Sequence, residues 1–146
     1  MNGAAAGRDR VRSGSTPAAA RSRPAAPLLF AYGTLMRGYP LHRALRRGAS
    51  LVGAGSVRGR LLDLGAYPGL IAGGGRVRGE VYRLDAAELL PVLDREEGYN
   101  FVCRRALVTL DGGARARAWV YRYRGPRARA VPVPHGDYRR VRPATH

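Results

Sequence analysis

The sequence predicts one small α+β domain, on three observations. Residues 76–84 alternate as a strand does, with Val77, Gly79 and Val81 on one side and Glu80 and Tyr82 opposite. Two further β-rich runs, 101–110 and 114–123, are joined by Asp111-Gly112-Gly113, which has hairpin-turn composition. Helical spacing is confined to two short stretches, 41–45 and 86–93. A chain of 146 residues with a hydrophobic fraction of 45% can bury a single core.

Taken in order, residues 1–26 are mostly Gly, Ala, Arg, Ser and Pro without periodicity. They read as a disordered basic leader, or equally as sequence upstream of the true translation start. The domain is expected over residues 27–140, with 141–146 as a loose tail. Leu28-Leu29-Phe30-Ala31-Tyr32 is an apolar strand that Gly33 interrupts. Residues 34–40 make a loop or single turn, in which Gly33 and Gly38 allow backbone conformations closed to other residues. Leu41 and Leu45 share one face of a short helix ending near Gly48. Residues 57–64 form a strand, 65–69 a turn, and Gly73-Gly74-Gly75 a hairpin tip that leads into strand 76–84. Asp85 can cap the following helix, where Ala87, Leu90 and Leu93 make an inward stripe and Gly98 ends the element. Pro91 argues for a kink or restart within it. In the last long strand Ala116, Ala118, Val120 and Arg122 alternate against Trp119, Tyr121 and Tyr123, whose rings suit either core or pocket wall. Residues 131–134 read as an extended rim segment, and Asp137-Tyr138 as the anchor of the tail.

The chain has no lysine, so its 26 basic residues are all arginine, and against 10 acidic residues they give +16. That charge would fit nucleic acid or an anionic surface. Its distribution argues otherwise. Residues 1–27 hold five arginines and one aspartate, as do residues 126–146, and the remaining charge is spread without a dense basic run. No aromatic-rich single-strand motif or zinc-finger spacing accompanies it. Cys103 is the only cysteine, which rules out an intrachain disulfide and fits a reducing compartment. No run approaches the ~18 apolar residues of a membrane span, and the leader lacks a hydrophobic segment, so a cytoplasmic location is expected.

The chemistry-bearing side chains are few. There is no serine nucleophile elbow, no phosphate loop with its lysine and no paired metal ligands; His42, His135 and His146 are scattered. Cys103 lies inside a β-run, which suits a quiet buried thiol. The carboxylates of Leu93-Asp94-Arg95-Glu96-Glu97-Gly98-Tyr99 remain. On a helix Asp94 and Glu97 share a face, and a carboxyl beside an apolar wall can serve as acid and base near neutral pH. An acidic helix end also occurs with no chemistry attached.

Here the pattern resembles a known family. Phe30-Ala31-Tyr32-Gly33-Thr34-Leu35 followed by Gly38 is similar to the opening signature of the gamma-glutamylcyclotransferase-like family, which includes gamma-glutamylamine cyclotransferases and AIG2-like proteins. Ala66-Tyr67-Pro68-Gly69-Leu70 with Val77-Arg78-Gly79-Glu80-Val81-Tyr82 resembles its middle section. Residues 93–99 resemble its acidic signature, Ala118-Trp119-Val120-Tyr121 a later strand, and Gly136-Asp137-Tyr138 its close. The resemblance implies a mixed fold with a small β-barrel and short flanking helices. It implies that Glu97 is the catalytic acid/base, with a substrate pocket formed by Tyr32, Gly33, Thr34, Leu35, Tyr99 and Tyr121. It implies cyclisation of a gamma-glutamyl amine or amide, or of a gamma-glutamylated biosynthetic intermediate, releasing 5-oxoproline and an amine without metal or other cofactor.

Two positions depart from the family pattern. Glu96 stands where many relatives have an apolar or aromatic residue, and Cys103 where a tyrosine often precedes the arginine. Rim arginines such as Arg37 or Arg104 would favour an acidic leaving portion. Two other functions fit the same residues: a non-catalytic small-molecule-binding or interaction domain on this scaffold, or a basic nucleic-acid-associated protein.

Overall fold

The computed structural model describes residues 26–46, 48–86, 89, 91, 93, 94 and 98–144. Its strands are β1 (Leu28–Ala31), β2 (Ala49–Asp63), β3 (Pro68–Leu84), β4 (Phe101–Leu110), β5 (Arg115–Tyr123) and β6 (Val131–Val133). A 3-10 turn covers Pro40–Ala44, and a short C-terminal helix covers Tyr138–Val141.

The sheet closes on itself. β3 pairs antiparallel with β2 and β1, β1 pairs parallel with β5 at Leu29 and Trp119, β5 pairs antiparallel with β4, and β4 returns to β2 at Gly55–Leu110 and Ser56–Thr109. Closure leaves the ring without a free edge, as a small barrel requires. β6 covers the far half of β2, placing Val133 opposite Leu61. The mixed fold with a small barrel and few short helices is therefore what the sequence implied. Inside lie Leu29, Phe30, Val57, Val77, Val81, Val108 and Val120, each at most 1% exposed. β-branched residues dominate that set because they fit a pleated, closely neighboured surface.

The β4–β5 hairpin forms where its turn composition placed it. Gly113 takes φ +100 and its N–H donates to Leu110 O at 2.8 Å. Gly79 serves a close approach: a Cβ there would strike Ala31 O and lie 2.6 Å from the Phe30 ring, so the missing side chain lets β1 lie against β3.

Three local expectations are corrected. Gly73-Gly74-Gly75 is not a hairpin tip but part of a bulge within β3. Arg58 pairs with Arg76 and Arg60 with Ile71, so the chain keeps its direction and both flanks pair with β2. The reversal between β2 and β3 is the turn closed by Leu64 N–H to Tyr67 O at 2.9 Å. β2 begins at Ala49, well before the expected strand, because pairing with β3 continues through its polar and glycine residues. The 41–45 stretch is 3-10 rather than α-helical, following Pro40 at its first position.

In the acidic segment Leu89, Pro91, Leu93 and Asp94 are helical, so Pro91 is itself part of the helix. Leu93 is fully buried, as its place in the expected stripe required; Ala87 and Leu90 lie outside the described residues. Asp85 accepts from the Ser50 hydroxyl at 2.9 Å. Gly98 takes φ +78 and donates its N–H to Asp94 O at 3.2 Å, the left-handed stop that glycine supplies at a helix end. At the C-terminus Asp137 caps the last helix through Arg139 N–H, and Tyr138 is buried. Arg142 then pairs with Asp63 at 3.4 Å.

Candidate active site

β1 ends at Ala31, and the chain turns immediately into the 33–38 loop. That loop forms one wall of a narrow cleft, about 20 Å³ in its enclosed part and about 320 Å³ when the open mouth is counted. Phe30, Tyr32, Gly33, Thr34, Leu35, Tyr67, Pro68, Phe101 and Tyr121 line it. Tyr32, Gly33, Thr34, Leu35 and Tyr121 thus meet around one space although β2, β3 and β4 intervene in sequence. Tyr99 does not line it: the residue is 82% exposed, and its carbonyl accepts from Arg124 Nε at 2.8 Å. Glu96 and Glu97 lie outside the described residues.

The carbonyls of residues 33–36 point to partners within the protein. Gly33 O accepts from Met36 N, Thr34 O from Leu41 N, and Met36 O from Tyr39 N. Leu35 O lies 2.9 Å from His42 Nδ1, and since a carbonyl only accepts, that nitrogen carries the proton. The N–H groups of Gly33, Thr34 and Leu35 have no hydrogen-bond acceptor among the described residues. Consecutive free N–H groups beside a cleft suit a carboxylate or a developing oxyanion. Gly38 takes φ +90, as a tight loop needs. Gly33 contributes differently: a Cβ there would collide with the Pro68 ring, so its lack of a side chain lets the loop close onto the β2–β3 turn.

The floor is held by tyrosines. Tyr32 donates its hydroxyl proton to Tyr121 O at 2.6 Å and accepts from Leu70 N–H at 3.1 Å. The Tyr121 hydroxyl donates to Asp94 Oδ1 at 2.6 Å, which fastens Asp94 to β5 beside the cleft. Tyr67, Phe101 and Tyr123 pack edge to face at 5.6 and 5.4 Å, and the first two reach the mouth. No lining side chain among the described residues is charged.

Cys103 pairs across the ladder with Tyr121. Burial, with the nearby Asp94 charge, pushes its thiol up to about 11, against the pull of the Tyr121 hydroxyl and Arg104. Arg37, expected at the rim, turns its guanidinium to Glu80, and Arg104 donates to Cys103 O. Among the described residues no group of three or more His, Cys, Asp or Glu could hold a metal. A wider groove of about 800 Å³ runs between the glycine bulge and β6, past Arg60, Arg76, Pro132 and Pro134, and contains none of the expected residues.

Sequence reasoning missed Glu80. Alternation put it opposite Val81, yet it is 6% exposed, with Oε1 accepting from Arg37 N–H at 3.0 Å and from the Tyr82 hydroxyl at 2.8 Å. Its Oε2 faces Arg37 Nε at 3.3 Å and Arg139 Nη2 at 3.2 Å. The available signal was that Glu80 is the one acidic residue of its strand.

A closed barrel whose first strand delivers a loop with N–H groups unpaired among the described residues to an aromatic-walled cleft offers a candidate small-molecule site. The comparisons identify which kind. The family model for gamma-glutamyl cyclotransferase, AIG2-like, matches residues 29–140, and the chain belongs to that family. Human gamma-glutamylaminecyclotransferase is 36% identical over 120 residues, covering 73% of this chain and 71% of the relative. The Escherichia coli gamma-glutamylcyclotransferase family protein YtfP is 35% identical over 113 residues, covering 75% of this chain and 94% of the relative. The crystal structure of an AIG2-like protein from Mus musculus superposes with a TM-score of 0.65 at 25% identity, covering 79% of this chain and 89% of that one. Family membership supports cyclotransferase chemistry in general.

Proposed function

We propose that this protein cyclises a gamma-glutamyl amine or amide, releasing 5-oxoproline and a free amine, with Glu97 as the acid/base. The observation that carries the reading is the set of N–H groups at Gly33, Thr34 and Leu35, unpartnered among the described residues, on the wall of the cleft to which Tyr121 ties Asp94. Those donors would take the substrate's α-carboxylate and leave the chain curled. Its α-nitrogen then attacks its own γ-carbonyl carbon, forming the lactam C–N bond as the bond to the departing amine breaks. Curling makes this a proximity-driven reaction. The α-ammonium gives up two protons over the reaction, and the departing amine, an ammonium at neutral pH, takes up two. Glu97 is assigned the transfer from the attacking to the leaving nitrogen. The substrate class follows the naming of the human relative for gamma-glutamylamines.

The test is 5-oxoproline release from a panel of gamma-glutamyl amines and gamma-glutamyl amino acids. E97Q is expected to lower kcat by about 10²–10⁴-fold, the usual span for a lost general acid–base. Turnover by E97Q at the wild-type rate would remove Glu97 from the mechanism. Ligand binding with no product from any member would favour a binding domain on this scaffold.

A further inference from the structure

We infer that Glu80 and Arg139 act as positioning residues that clamp the end of the 33–37 loop, making the C-terminal helix part of the substrate site. The inference rests on the proposed role of that loop in holding the substrate carboxylate. Both backbone groups of residue 37 are held. Its N–H donates to Glu80 Oε1 at 3.0 Å, and its carbonyl accepts from Arg139 Nη2 at 2.6 Å. The same Nη2 lies 3.2 Å from Glu80 Oε2, so carboxylate, guanidinium and loop peptide form one closed set. Arg139 comes from the C-terminal helix, and its guanidinium stacks over the Tyr39 ring, 5.1 Å from the centroid. Further along, the Tyr82 hydroxyl donates to Glu80, the Tyr82 ring packs 5.6 Å from the His42 ring, and His42 holds Leu35 O. The loop is thus gripped at residue 35, the last of its unpaired donors, and at residue 37 just beyond.

A buried carboxylate is a costly way to fill space, because an apolar residue of similar volume stabilises a core at least as well. What charge-assisted hydrogen bonds add is directional constraint on their donors. Here the donors include the loop's own peptide.

R139Q is the main variant, since Arg139 has a side chain 37% exposed and its loss should leave the fold intact. Hydrogen exchange over residues 33–38 in the ligand-free protein is expected to quicken in R139Q. KM for a gamma-glutamyl substrate should rise about tenfold with kcat within about twofold, because the loop's donors bind ground and transition states alike. R139K should recover part of KM through its single ammonium. E80Q combined with R139Q should raise KM no further than the worse single variant, because both act on one peptide. Unchanged exchange in R139Q overturns the clamp; faster exchange with KM unchanged overturns its role in substrate positioning. If wild type releases 5-oxoproline from no substrate, the proposed reaction fails, and the exchange measurement still decides the clamp.

Discussion

Glu80 shows how a side chain that looks exposed in sequence becomes an organiser of the site. Burial by itself would raise its pKa, but the Arg37 N–H, the Tyr82 hydroxyl and the charges of Arg139 and Arg37 outweigh it, leaving the carboxyl below its ordinary value of 4.5. A carboxyl with a folded-state pKa below the unfolded one adds stability above the unfolded value and loses it as pH falls through the folded value. The melting temperature of wild type should therefore exceed that of E80Q near neutral pH, and the gap should shrink as pH falls below about 4.5. A gap that stays constant across a pH series of thermal melts would show that ionisation of Glu80 contributes nothing. At the same scale Cys103, pushed up to about 11, stays a protonated thiol at neutral pH. The aromatic residues of β5 divide: Tyr121 joins the cleft wall, while Tyr123 packs on Phe101 and donates to Pro126 O at 2.6 Å.

Among the elements, β4 and β5 were legible because alternation and the Asp-Gly-Gly turn agree, so local and tertiary preferences coincide. The glycine triplet was misread because its composition permits a reversal and a bulge alike; only the partner strand decides, and β2 pairs on both sides of it. Glycines in β3 should accordingly differ in sensitivity. G79A drives a methyl into the β1 carbonyl and the Phe30 ring and should cost about 1–3 kcal/mol. G74A, with nothing within 4 Å of the added carbon, should lie within about 0.5 kcal/mol of wild type. Urea unfolding of the two variants compares them directly, and equal losses would contradict the packing described for β1 on β3. Because β1 leads straight into the substrate loop, G79A should also impair turnover more than G74A.

Across the whole molecule, residues 131–142 fold back onto the barrel and the loop after β1. β6 adds Val133 to the core, Tyr138 is buried at 3% exposure, and Arg142 reaches back to Asp63 in β2. Tyr39 donates its hydroxyl proton to Arg142 O at 2.5 Å, joining the loop after β1 to the last turn. A chain stopped after Gly136 loses the Tyr138 anchor together with Arg139 and Arg142. It should be less stable by at least about 3 kcal/mol, the cost of emptying one aromatic site in a core. Denaturant midpoints would test this; an unchanged midpoint would mean that the tail merely rests on the barrel.

The sequence by itself determined the α+β class, the β4–β5 hairpin and, through motifs in the right order, the family. Those properties live in neighbouring residues, in period-2 alternation and turn chemistry. Only the tertiary structure decided that Glu80 is buried, that Tyr99 points away from the cleft, and that Arg139 holds a loop more than a hundred positions upstream. Each depends on which strands close the ring and on what covers their outer faces, and such long-range pairings leave no periodic trace in the chain.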